Sequence, residues 1–311
     1  MERSHPIFIG GSARSGTHAV GRLVAAHPRY HLIPVEVRIH AVSGGLPDLL
    51  AGRSSMSDFL GRCRGQWWSR GKNDTSGLRK ILSRRELEAA LGEFEAAFEL
   101  DPWGSSRALV TRLLDPIAEH HGKPSWIDVT GRNVESAPTL ARLFPRAKIV
   151  HMVRDGRAVV AGHLKHPRLG DDPMNALRHW EQRIRAADAA IRRMPEASVL
   201  TMPLDDLAAH DREGSYEQLE RFLGCEDDPA MRRYFDTQIS AEAAHVGGWR
   251  ERMAPPDARK VDRHYRKVVR ELRRDGISWV PAPEGRWEAR TLGRHLVRAG
   301  TRSGSRDRLA H

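Results

Sequence analysis

The sequence predicts an α/β fold: a mostly parallel central sheet flanked by helices. Three observations carry this. Short apolar runs recur at residues 6–9, 30–33, 126–129, 148–153 and 198–202. Segments of helical period lie between them, as a chain that alternates strand and helix requires. The first run ends in a glycine-rich turn, Gly10-Gly-Ser-Ala-Arg-Ser-Gly16, and a helical pattern starts straight after it. In such sheets ligands bind beyond the carboxyl ends of the strands.

The first helix, 17–26, places Ala19, Val20, Leu23 and Val24 on one face. Residues 40–80 then break the alternation. They are rich in Gly, Ser and Arg, with Trp67-Trp68 among Arg62, Arg64, Arg70 and Lys72. This stretch reads as a basic, partly helical excursion at about 40–100, with a helix at about 83–99. Leu140, Leu143 and Phe144 mark a helix over 134–144, and Val159, Val160 and Leu164 mark one over 156–165. A long helix is expected from about 173 to 194, and another from about 215 to 223, stopped by Gly224. Residues 1–284 are expected to form a single α/β domain. Residues 285–311 form a basic tail, with Trp287, Leu292 and Leu296 on one side if it is helical.

The formal net charge is +11. Residues 285–311 contribute +5 and residues 52–86 contribute +6, so the rest of the chain is about neutral. Such a chain suits an anionic partner: nucleic acid, an anionic membrane or an acidic small molecule. Peripheral contact with an anionic membrane through the tail is one expectation. No helix-turn-helix, zinc-finger or RNA-recognition signature is present, so nucleic acid is not expected. No apolar stretch is long enough to span a bilayer, and the first residues do not read as a signal peptide. Cys63 and Cys225 make no disulfide framework, which fits a cytoplasmic location.

The turn at 10–16 is an anion cradle, because its amides and the positive end of the following helix dipole converge on one spot. Gly11 and Gly16 have the spacing of a P-loop, but Thr17-His18 stand where Lys-Ser/Thr would follow. The lysine that reaches the β- and γ-phosphates is missing, and a cation sits inside the loop at Arg14. That argues against ATP or GTP hydrolysis. It favours one phosphate in the cradle with a negative leaving group beside Arg14. A second anion point is the end of the fourth strand, Val153-Arg154-Asp155-Gly156. Both turns belong to the same edge of the sheet, so one ligand with two separated phosphates satisfies both.

These residues resemble the sulfotransferases that use 3′-phosphoadenosine 5′-phosphosulfate (PAPS), whose sheet is P-loop-like. Ala13-Arg14-Ser15-Gly16-Thr17 is similar to their 5′-phosphosulfate loop, and Val153-Arg154-Asp155-Gly156-Arg157-Ala158-Val159-Val160 to their 3′-phosphate motif. Leu143-Phe144-Pro145-Arg146-Ala147-Lys148, Trp126 with Thr130 and Asn133, Pro203-Leu-Asp-Asp-Leu207 and Phe222-Leu-Gly224 follow the same order. So does Gly247-Gly248-Trp249-Arg250, similar to a late element that closes over the cofactor. The bacterial and tyrosylprotein branch fits best, over roughly residues 6–255.

The resemblance implies sulfuryl transfer from PAPS to a hydroxyl or amine, leaving adenosine 3′,5′-bisphosphate (PAP). The acceptor would be a small molecule, a lipid or a glycan. Arg14, Ser15, Gly16, Thr17, Arg154, Gly162, His163, Trp249 and Arg250 would bind the cofactor. For Trp249-Arg250 the alternative is a core tryptophan with a surface arginine. Glu36, in Val35-Glu-Val-Arg38, is the leading general base, since burial between Val35 and Val37 would raise its basicity. The alternative is an ion pair with Arg38 or Arg22. His18 is the rival base; His40, His120 and His121 are weaker ones. No metal is expected.

Relatives usually carry Ser at the place of Gly162, a second Thr at His18, a Lys at Val129 and a Tyr at Pro203. Those departures keep two alternatives open: a P-loop kinase of a small metabolite, and a sulfotransferase-like binding protein without activity.

Overall fold

The computed structural model describes residues 5–69, 77–166, 172–195 and 198–282. The expected basic tail, together with Arg70 and Lys72, lies outside them.

All five expected strands form: β1 (Ile7–Gly11), β2 (Tyr30–Leu32), β3 (Ser125–Val129), β4 (Lys148–Val153) and β5 (Val199–Pro203). They make one sheet in the order β2-β3-β1-β4-β5, with every adjacent pair parallel. β1 is central and every residue in it is buried. Its side chains alternate: Phe8 packs on one face, Ile7 and Ile9 on the other. A strand covered on both faces must be apolar throughout, which is why 6–9 was legible as an apolar run.

Helices cover both faces: α1 (Thr17–Ala26), α2 (Leu46–Leu50), α3 (Met56–Arg64), α4 (Arg84–Phe98), α5 (Pro102–His120) and α6 (Ala137–Leu143) in the first half, then α7 (Gly156–Leu164), α8 (Pro173–Ile191), α9 (Arg212–Leu223), α10 (Pro229–Gln238), α11 (Ala241–Ala244) and α12 (Pro255–Arg274). The excursion is α2, α3 and α4, with Phe59, Trp67, Leu91 and Phe94 joined to the core on the Phe8 face. Trp67 is buried there, as a structural residue. α1, α9 and α10 cover the Ile7 and Ile9 face. A third cluster joins α7, α8 and α12 around Trp180 and Tyr265.

Each strand delivers a different loop to the same edge. After β1 comes the Ser12–Gly16 turn, after β2 the segment carrying Glu36, after β3 Thr130–Asn133, after β4 Arg154 and after β5 Asp205. The chain passes from β3 to β4 across β1, so the order reverses there and a crevice opens above β1. A separate cavity of about 380 Å³, lined by Pro6, Arg107, Trp126, Phe144 and Arg146, lies at the opposite edge. It is remote from every loop named above.

Candidate active site

The turn after β1 is built on backbone that side chains resist. Gly11 has φ 154° and a Cβ there would stand 2.3 Å from the Met152 carbonyl oxygen, so only glycine fits beside β4. Arg14 adopts the left-handed conformation, φ 67°, at a cost of about 1–2 kcal/mol for a residue with a Cβ. Two contacts hold it. Its carbonyl accepts from Arg154 Nη1 at 3.0 Å. Its side chain lies along α7 at Gly162, where a Cβ would stand 3.2 Å from Arg14 Cβ and Cγ.

Ser15 is buried and turned inward: its amide and its hydroxyl both donate to the Ser12 carbonyl, at 3.2 and 2.7 Å. Its amide is thus engaged within the turn, unlike the free cradle donor expected from sequence. The first helical bond of α1 runs from Val20 N–H to Gly16 O at 3.1 Å. The amides of Thr17, His18 and Ala19 precede it and have no partner in the helix ladder. Gly16 and Thr17 are half-buried, and His18 is exposed.

Arg154 joins the two turns. It is 7% exposed, and its guanidinium donates to the carbonyls of Arg14 and Ala244. Burial lowers its pKa and nearby Asp205 opposes that effect, while Arg252 and Arg14 add to it. Asp205 is raised by its own burial, with Arg154 holding it back. His245 sits in the same field: burial lowers its pKa, then Arg252, Arg154, Lys165 and Arg14. His163 is lowered by burial, and further by His179, Arg14 and His166. Buried Arg154 Nε, Arg252 Nε and His163 Nδ1 have no hydrogen-bond partner in the protein. Asp205 Oδ1, beside Arg154, is likewise without a partner, so this corner holds buried polar groups with bonding capacity to spare.

Trp249 and Arg250 take the alternative arrangement. Trp249 is 5% exposed within the third core cluster, with the Arg157 guanidinium carbon 4.8 Å from its ring centroid. Arg250 is exposed and stacks 4.2 Å over the same ring. The arginine whose charge bears on Arg154 and His245 is Arg252, two residues on, which the motif did not single out.

Glu36 lies at the same edge but is not buried: 39% of its side chain is exposed and it pairs with Arg38 at 3.1 Å. The expected burial between Val35 and Val37 therefore does not hold: the carboxylate is partly exposed while those two valines fill the core. Its backbone is nevertheless fixed. Asp128, fully buried at the end of β3, accepts from Val37 N–H at 3.0 Å and from Thr130 Oγ1 at 3.1 Å. Its other oxygen pairs with His40 Nε2 at 3.0 Å and accepts from Asn133 Nδ2 at 2.8 Å. Asn133 Nδ2 also reaches the Ile9 carbonyl at 3.1 Å. His40 is thus a buried anchor, not a base. Sequence reasoning missed Asp128, although an acid inside an apolar strand run was its signal.

Among the described residues no group of histidine, cysteine and acidic side chains could hold a metal ion. Among them, too, no helix is long and apolar enough to cross a membrane.

A model of the sulfotransferase family matches residues 6–229. Protein-tyrosine sulfotransferase 2 of Gallus gallus is 26% identical over 226 residues, which is 70% of this chain and 50% of that protein. Protein-tyrosine sulfotransferase 1 of Mus musculus is 30% identical over 157 residues, 50% of this chain and 32% of that protein. The chain thus spans half or less of these relatives. Among solved structures, the sulfotransferase domain from the Synechococcus PCC 7002 olefin synthase superposes with TM-score 0.51 at 20% identity, covering 84% of this chain and 94% of that one. With the parallel sheet, the glycine turn at Arg14 and the family match over most of the described residues, the chain belongs to the sulfotransferase family.

Proposed function

We propose that this protein transfers the sulfuryl group of PAPS to a hydroxyl acceptor. The observation that carries the reading is the bond from Arg154 Nη1 to the Arg14 carbonyl, 3.0 Å long. It joins the two turns at which phosphates are expected, the juxtaposition that one bridging adenosine would need. The unpartnered Nε atoms of Arg154 and Arg252, whose charges bear on one another, suit its 3′-phosphate. The Thr17, His18 and Ala19 amides at the start of α1 fit the 5′ end.

PAPS, when bound, supplies an activated sulfuryl group and a phosphate leaving group. Arg14 is the cation at the loop: its backbone is held by Arg154 and its side chain is exposed. It and the loop amides oppose the negative charge that grows on the bridging oxygen, the kind of preorganised stabilisation that acts on the transition state. Glu36 takes the acceptor proton as the new oxygen–sulfur bond forms and the sulfur–phosphate oxygen bond breaks. To do so it must leave Arg38, an exchange that an exposed carboxylate makes at little cost.

Calorimetric titration with PAP tests the nucleotide half of this reading. Tight binding of PAP with weak binding of ATP supports it, and equal or reversed affinities point to a kinase. Incubation with ³⁵S-labelled PAPS tests the chemistry. The names of the relatives make a tyrosine-containing peptide the first acceptor to try, followed by glycans, lipids and small phenols.

A further inference from the structure

Arg183, in the middle of α8, has no part in the sequence motifs, yet its guanidinium reaches the carboxyl edge of the sheet. Nη2 donates to the Gly11 carbonyl at 3.2 Å and to the Gly131 carbonyl at 2.6 Å, while Nη1 pairs with Glu135. Gly11 is the last residue of β1 and the flank of the anion turn. Gly131 opens the turn after β3, and a Cβ on it would stand 3.4 Å from the Gly11 carbonyl oxygen. One side chain therefore stitches the two turns together.

Its charge matters as well as its shape. Only 22% of the side chain is exposed. Burying a cation is unfavourable unless acceptors and counter-charges surround it. Here Glu135 supplies the contact against the repulsion of nearby Arg132, and Glu36 lies near enough for its charge to be felt more weakly. Position 129 offers no alternative source of charge. Val129 is 3% exposed and packs against α1 at Gly21, where a Cβ would meet Val129 Cγ2 at 2.6 Å. A lysine there would have to leave the core, so the cations at this corner are Arg183 and, on the turn itself, the more exposed Arg132.

We propose that Arg183 is a positioning residue: it holds the anion turn in register with the turn after β3, and it sets the fixed positive charge between that turn and Glu36. This rests on the reading of the site as a PAPS site. A rigid fork that binds two carbonyls and a carboxylate does what a lysine ammonium cannot.

The test compares wild type, Arg183→Ala and Arg183→Lys by PAP titration, by release of ³⁵S-sulfate from saturating PAPS with water as acceptor, and by melting temperature. Arg183→Ala should weaken PAP by about tenfold and lower the limiting rate by about 10²-fold, the loss expected for a site about 1 Å out of register. Arg183→Lys should recover little of either. Guanidinium chloride at low millimolar concentration should restore part of the Arg183→Ala rate, which a purely structural loss would not allow. Variants that melt earlier but bind and react as wild type would overturn the proposal, and so would full recovery in Arg183→Lys. Wild-type protein that fails to bind PAP would instead overturn the PAPS reading beneath it.

Discussion

Replacing Arg154 by Met tests the site with a perturbation whose two effects separate. In the free protein the guanidinium donates to the carbonyls of Arg14 and Ala244 and is buried against Asp205. Two charge-assisted bonds stabilise by about 1.5–3 kcal/mol each. Against that, burying the cation costs several kcal/mol, here among other cations. The terms nearly cancel, so Arg154→Met should destabilise the free protein by about 2 kcal/mol or less, a shift of a few degrees in melting temperature. Binding should suffer far more. A 3′-phosphate at the orphaned Nε would lose a buried charge-assisted contact, about 3 kcal/mol, so the PAP dissociation constant should rise on the order of 10²-fold. The turn at Arg14 would also lose the bond that holds its left-handed backbone, adding to the loss at the 5′ end. Calorimetry with PAP and thermal melting of the same preparation read both quantities. A dissociation constant within about threefold of wild type, in a variant that still folds, would refute the two-turn site.

Arg14→Ala should lower the rate of sulfate transfer from PAPS by at least about 10²-fold, or about 3 kcal/mol of transition-state stabilisation, with little effect on stability because its side chain is exposed; near-normal turnover in a radiolabel assay would remove it from the chemistry. Glu36→Gln should leave PAP binding intact and slow transfer by about 10²–10⁴-fold; an unchanged rate would move the proton acceptor to His18. PAP should bind more tightly as pH falls: the pKa values of His163 and His245 are depressed in the free protein, a bound phosphate raises them, and the complex then takes up protons, which linkage converts into affinity at lower pH. Calorimetry in buffers of different ionisation enthalpy measures that uptake, and its absence would place the phosphate away from both histidines. Gly162→Ser should slow transfer, because its Cβ would stand 3.2 Å from Arg14 Cβ and Cγ and oblige that side chain to shift by a few tenths of an ångström; faster turnover would show instead that a serine hydroxyl assists the phosphate.

The sheet was legible because its strands are buried on both faces and must be apolar, and each one begins and ends within two residues of the expected place. Several helices were not. α5 begins at Pro102 and carries Pro116 inside it, and both residues read as breakers in a sequence. In the structure Pro102 sits in the first turn, where a missing N–H costs nothing, with Asp101 capping Gly104 N–H at 2.8 Å. α12 buries Val261, Tyr265, Val268 and Leu272 at helical spacing. That stripe was available in the sequence but lay under a dense run of arginine and lysine, which draws attention to the solvated face.

At the candidate site, local motifs gave the two turns but not what joins them. Arg14 and Arg154 stand in recognisable turns. Asp128 acts through Val37, 91 positions away, Arg183 through Gly11, 172 positions away, and Arg252 on Arg154, on another element; no spacing rule connects any of these pairs. Gly162 shows the same limit from the other side. As a sequence position it is a missing hydroxyl, a lost ligand for the phosphate. In the structure it is the space that lets the Arg14 side chain lie along α7, beside the buried and unpartnered His163 Nδ1. The departure at Gly162 is therefore also a matter of volume: the space that a side chain there would fill is taken by the loop cation Arg14. A residue judged by what it lacks was shaped by a neighbour 148 positions earlier, and only the packed chain puts the two in contact.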